Sequence, residues 1–169
     1  MQLEKKPLME FLEEIDRALE ERIELIAVGG TAMTLLDIKS STIDIDFNLS
    51  DRDAESFRQA LKAVPHGYRI DIFRDGNIFS QQLPDGFEKK CIPARSFTNI
   101  NLLALHPLDI VVTKIGRLDD RDIQDIRACI MEFDLTREQV KERASMVEYT
   151  GNEENYRYNL KYVLKNLFD

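Results

Sequence analysis

Residues 23–49 read "IELIAVGGTAMTLLDIKSSTIDIDFNL", and no other stretch restricts the fold of the chain as much. The β-branched run 23–28 stops at Gly29-Gly30, and "TAMTLLDI" behind it favours helix. In "TIDIDFNL" the residues Ile43, Ile45, Phe47 and Leu49 alternate with Thr42, Asp44, Asp46 and Asn48, the pattern of a half-buried strand over 42–49. Strand, glycine turn, helix and strand in that order need a sheet with helices packed on it. The fold class is therefore α+β.

The rest of the chain extends this reading. Pro7 opens an amphipathic helix over 7–21, with Leu8, Phe11, Leu12, Ile15 and Leu19 at helical spacing. Ser50 caps a helix through 63, and "YRIDIFRDG" (68–76) is a strand closed by Asp75-Gly76. Residues 77–96 show no period and are read as mostly irregular, and 97–105 as a strand. Helices follow from Pro107, over 120–133, from Thr136, where Gln139 completes a capping box, and at the C-terminus through Tyr156, Leu160, Val163, Leu164 and Leu167. The organisation expected is one domain over 1–169, with a sheet-containing core in 1–105 and a helical portion in 106–169.

Composition excludes several classes. With 43% apolar and 32% charged residues the chain is that of a folded protein. A net charge of −8 argues against a surface coated in nucleic acid, whose binding depends on Lys and Arg, although a local basic patch is compatible with it. Charges interrupt "MQLEKKPLMEFLEE" too often for a signal peptide or membrane span, so a cytoplasmic protein that makes no use of a membrane is expected. Cys91 and Cys129 have no zinc spacing and are expected as reduced thiols.

Chemistry concentrates in the opening segment. On a strand, Asp44 and Asp46 project to one face, and two converging carboxylates suit Mg²⁺ together with substrate phosphates. A bare D-x-D on a polar strand face also needs no function at all. The glycine pair at a strand-to-helix turn, with the Thr31 hydroxyl, offers room and N–H groups to a phosphate, while no P-loop is present. Lys114 borders the stripe Leu108, Val111, Val112, Ile115 and Leu118, where a lysine ordinarily extends to solvent. Asp122 and Asp125, near Arg117 and Arg121, read as a solvated ion-pair surface. His66 and His106 suggest no chemistry.

"VGGTAM" followed by "STIDIDFNL" resembles the G-[GS]-x-A…R-x-T-x-D-x-D signature of the DNA-polymerase-β-type nucleotidyltransferase superfamily. Within it, the chain resembles the AbiEii and MenT toxin-like nucleotidyltransferases, whose lysine helix before an R-D-x-x-D helix corresponds to "LHPLDIVVTKIGRLDDRDIQDI". The resemblance implies a nucleotidyltransferase-fold mixed sheet flanked by helices. It implies that Gly29, Gly30 and Thr31 hold the triphosphate of an NTP, with Lys39, Ser40 and Thr42 beside it. Asp44 and Asp46 would bind Mg²⁺ or Mn²⁺, with Asp71 as third carboxylate. Lys114 would contact phosphate, and Asp122, or second to it Asp125, would be the later acidic residue. Ser40 stands where the family pattern has arginine. The implied activity is metal-dependent transfer of a nucleotide to an acceptor hydroxyl, with a tRNA 3′ end as acceptor and an antitoxin as partner among the toxin-like members. The alternatives are a small-molecule or protein acceptor, and a nucleotide-binding or regulatory protein that has lost turnover.

Overall fold

The computed structural model describes residues 2–168. Along the chain run β1 (Leu3–Glu4), α1 (Lys5–Ala18), β2 (Ile23–Ala27), α2 (Gly29–Leu35), β3 (Ser41–Thr42), β4 (Ile45–Leu49), α3 (Asp51–Ala63), β5 (Ile70–Arg74), β6 (Asn77–Ile78), β7 (Gln81–Gln82), a 3-10 turn (Phe87–Lys90), β8 (Ile92–Ser96), β9 (Ile100–Ala104), α4 (Pro107–Lys114), α5 (Asp120–Glu132), α6 (Arg137–Ser145), β10 (Glu148–Tyr149) and α7 (Glu153–Asn166). The fold is mixed α and β, with a mixed sheet flanked by helices. The chain divides into two compact units, one of residues 1–75 and 91–105, the other of 76–90 and 106–169.

In the first unit the strand order is β5-β4-β2-β9-β8. β2 pairs parallel with β9 and antiparallel with β4, β4 pairs parallel with β5, and β8 closes antiparallel on β9. The central strand β2 buries Leu25, Ile26 and Ala27, as a strand covered on both faces must. α1 buries Leu8, Phe11, Leu12 and Ile15, and α3 buries Ala54, Phe57 and Ala60. Phe57 meets Phe47 of β4 edge-on at 5.6 Å between ring centroids. Polar ties fix the connections. The Asp16 carboxylate accepts the Asn99 N–H at 2.6 Å, and the Arg22 guanidinium donates to the carbonyls of Phe97 and Thr98.

Three departures from the sequence expectation have clear causes. The strand read over 42–49 is broken: Ser41 and Thr42 pair with β1, Ile43 and Asp44 form a bend, and β4 begins at Ile45. Ile43 accordingly faces solvent, 49% exposed, instead of joining the apolar face. The stretch read as irregular contains β8, an edge strand whose Pro93 sits at a register shift and whose side chains are mostly exposed, so it carries no alternating pattern. It also contains the two-residue strands β6 and β7, too short for a period. The remaining helices match the expected segments to within a few residues.

The second unit packs α4 to α7 with the short strands β6, β7 and β10, which pair antiparallel in the order β10-β7-β6. Every residue of α4 is buried. Its C-terminal carbonyls, orphaned by the end of the helix, are met from α7: the Tyr156 hydroxyl donates to Val112 O at 2.8 Å and the Asn159 amide to Ile115 O at 2.8 Å. At the other end His106 caps α4, its Nδ1 accepting the Leu108 N–H at 3.0 Å. Burial pushes this imidazole below its ordinary 6.5, with Lys90 and Arg143 adding to the shift and Asp109 opposing it, so the ring stays a neutral acceptor. Thr136 and Gln139 form the expected capping box on α6.

Asp109 of α4 and Arg143 of α6 form a buried two-pronged ion pair, Nη2 to Oδ2 at 2.9 Å. Removing one partner strands the other charge away from water, whereas replacing both removes the problem. Arg143→Met is therefore expected to lower stability by about 3–5 kcal/mol in urea unfolding, and the Asp109→Leu/Arg143→Met double variant to recover much of that loss.

Candidate active site

The candidate site in the first unit begins where β2 ends. Val28 N–H donates to the Asp46 carbonyl at 3.0 Å, and Gly29 then turns the chain with φ +53°, a conformation glycine adopts without strain. α2 follows but spans only seven residues, because the chain leaves the helix at Leu36 and not at Ile38. Its dipole is correspondingly small. What distinguishes the turn is the occupied flank of Gly30: a Cβ there would lie only 3.0 Å from Thr42 Oγ1 and 3.9 Å from Lys39 Nζ, so the position has little room for a side chain. Gly30, Lys39 and Thr42 thus converge, an ammonium and a hydroxyl beside bare backbone.

Thr31, at the start of α2, reaches across to the segment that carries the aspartates. Its buried hydroxyl donates to the Asp44 carbonyl at 3.1 Å and accepts the Asp46 N–H at 2.9 Å. Thr42 Oγ1 donates to the same Asp44 carbonyl at 2.7 Å. With its proton and an acceptor lobe engaged on backbone, Thr31 fixes the bend that carries Asp44 and Asp46. Asp44 is half-buried in that bend, so strand alternation no longer sets its direction relative to Asp46.

Asp46 and Asp71 are brought together. They are register partners on the parallel strands β4 and β5, and partners in a parallel pair project to the same face on strands about 4.8 Å apart. Asp46 is 8% exposed, while Asp71 is half-buried and is ion-paired with Arg69 at 3.5 Å. Asn48, two residues beyond Asp46 on the same face, is buried at 3% and was not singled out by its sequence context. Ser40 is exposed in the bend before β3.

Among the described residues no group of three or more His, Cys, Asp or Glu is set to enclose a metal ion. Hard oxygen donors are nonetheless the chemistry present, and Mg²⁺ is commonly held by one or two carboxylates with water and substrate phosphates completing its shell. Asp46 and Asp71, register partners on β4 and β5, supply two such carboxylates, and Asp44, in the bend, is not gathered with them into one group.

Lys114, Asp122 and Asp125 form a cluster in the second unit. Lys114 does not extend to solvent; it is 5% exposed, with Nζ 3.0 Å from Asp125 and 3.5 Å from Asp122. Asp122 also receives Arg117 in fork geometry, both contacts at 2.7 Å, and closes a capping box with Asp119 at the start of α5. Burial alone would raise its carboxyl, but the Arg117 hydrogen bonds, the Lys114 charge and the Asp119 N–H outweigh burial and hold it below its ordinary 3.8. The aspartates read as a solvated surface are thus interior, because the lysine that ends α4 points inward with them.

A family model described as "Nucleotidyltransferase of unknown function (DUF6036)" matches residues 6–167. The chain belongs to that family. No curated protein and no solved structure matches it significantly. DUF6036 membership supports nucleotide transfer as the class of activity and an NTP as ligand, in agreement with the superfamily resemblance of the glycine turn and the D-x-D. Among the described residues no helix is long and apolar enough to cross a membrane.

Two outcomes follow from the buried cluster. Lys114→Met leaves Asp122 and Asp125 without their shared ammonium and is expected to cost about 3–5 kcal/mol in urea unfolding, more than an exposed lysine would. Asp122, held low in the folded state, stabilises fully above its ordinary value of 3.8, and this contribution is lost as pH falls through that value towards the depressed folded one. Asp122→Asn should therefore flatten the decline of melting temperature between about pH 5 and pH 2.

Proposed function

We propose that the chain is a divalent-metal-dependent nucleotidyltransferase that moves a nucleotide from an NTP to an acceptor hydroxyl. The observation that carries this reading is the pairing of Asp46 with Asp71 in register, on the strand that Thr31 ties to the glycine turn. The backbone of Gly29 and Gly30 receives the triphosphate, with Lys39 supplying positive charge beside it, while Thr42, its proton donated to the Asp44 carbonyl, walls the turn. Ser40 in place of the family arginine leaves that charge to Lys39, whose ammonium lacks a guanidinium's fork. Asp46 and Asp71 would hold Mg²⁺ or Mn²⁺, with Asp44 beside them in the bend, and the ion when bound supplies neutralisation of phosphate charge and a more acidic acceptor hydroxyl. Asp71, the more exposed carboxylate, takes the acceptor proton as its oxygen attacks the α-phosphorus and pyrophosphate leaves.

The toxin-like resemblance extends the reading to a tRNA 3′ end as acceptor and an antitoxin as partner. It also assigns phosphate contact to Lys114 and an acidic role to Asp122. A nucleotide-binding protein without turnover is the second reading, and Ser40 is the observation in its favour.

Labelled NTPs incubated with Mg²⁺ or Mn²⁺ and total RNA should yield labelled RNA. Asp46→Asn should abolish metal-dependent NTP binding in calorimetry, while Asp71→Asn should retain binding and lose about 10²–10⁴-fold in transfer. Binding without transfer in the wild type supports the second reading. At matched folded concentration, unchanged transfer by Lys114→Met removes that lysine from the reaction.

A further inference from the structure

The outward side of α7 carries Tyr158, Lys161, Tyr162 and Lys165, spaced i, i+3, i+4 and i+7, within an arc of roughly 100°. All four are exposed, Tyr158 at 75% and Tyr162 at 43%, among the few large hydrophobic side chains the protein presents to solvent. The opposite side buries Tyr156, Val163 and Leu164 within its own unit, so the helix cannot rotate to hide the tyrosines. The helix has no acidic residue after Glu154, and among the described residues neither Lys161 nor Lys165 forms an ion pair. Arg157 is occupied by Glu153 at 2.6 Å and is not counted. A stripe of two rings and two ammoniums, unpaired among the described residues, thus stands on a chain whose net charge is −8.

We propose that this face of α7 docks single-stranded nucleic acid, with bases stacked on Tyr158 and Tyr162 and phosphates met by Lys161 and Lys165. Interleaved rings and cations are what a single strand requires, because every base offers a π-face and every linkage a charge. Protein interfaces favour tyrosine but are depleted in lysine, which argues against a protein occupant. Duplexes keep their bases stacked internally, which argues against a double helix. The acidic remainder of the protein repels a polyanion and so confines it to the stripe. The proposal goes beyond the transfer reading: docking on α7 is a property of the second unit and stands independently of the site in the first.

The test measures docking without NTP. A short labelled single-stranded RNA, the same sequence as DNA, its duplex and heparin are titrated by fluorescence anisotropy into wild type, Tyr158→Ala/Tyr162→Ala and Lys161→Gln/Lys165→Gln, with melting temperatures compared. Each double variant should bind single strands about tenfold or more weakly. The lysine variant should also lose about 1.4 from the slope of log affinity against log salt. Absence of single-strand binding by wild type, which leaves the stripe to a protein partner, overturns the proposal. So does undiminished binding by the tyrosine variant, or preference for duplex or heparin. Mg²⁺-NTP calorimetry on the same samples separates the two readings: normal heats with no strand binding sink only the docking, and strand binding with no NTP heat sinks only the transfer site.

Discussion

One buried hydroxyl organises the candidate site of the first unit. Thr31 Oγ1 reaches from the first turn of α2 to both sides of residue 45, donating to the Asp44 carbonyl and accepting the Asp46 N–H. The Asp44 carbonyl is shared with Thr42, but the buried Asp46 N–H relies on Thr31 at the point where the chain leaves its pairing with β1 and enters β4, and leaving such a group unmet in the interior is costly. The same bond fixes where β4 begins. It therefore fixes which residue of β4 stands opposite Asp71, and how the glycine turn lies against the carboxylates. A valine at this position would fill the volume and lose all three consequences.

Much of this architecture was legible in the chain because local chemistry and global fold agree there. The apolar stripe of α1, the run ending at Gly29-Gly30, the Ser50 cap, the Thr136–Gln139 box and the Asp75-Gly76 turn each announce themselves within a few residues, and each occurs as expected. The bend at Ile43-Asp44 was hidden, since "TIDIDFNL" alternates perfectly; only hydroxyls from Thr31 and Thr42 interrupt it, and Thr31 is distant in sequence. β8 escaped because an edge strand with exposed side chains has no buried face to write a period. The pairing of Asp46 with Asp71 depends on strand register, which spacing does not encode.

Lys114 shows a further limit of periodicity. Its place beside an apolar stripe fits an exposed lysine and an interior one equally well, and the decision is made by Asp122 and Asp125 one helix later. Together with Arg143 on Asp109, this shows how the second unit uses two of its basic residues: Lys114 and Arg143 are turned inward and neutralised by aspartates. The ion clusters are close to neutral as groups, so the acidity of the chain is borne by its surface. Any unpaired lysine left outside acquires weight out of proportion to its number.

The two units are not successive along the chain. The first takes residues 1–75 and returns for 91–105, while the second takes 76–90 and resumes at 106. The central strand β2 pairs through Ile23 with Ile100 of β9, and its other neighbour, β4, leaves one side of β2 bare until then. During synthesis from the N-terminus the sheet must wait, half-formed, with a Leu25–Ile26–Ala27 edge unprotected until residue 104 has left the ribosome. A chain cut anywhere between 75 and 100 would carry that open edge permanently, which makes truncated products of this protein natural clients of chaperones and natural seeds of aggregation.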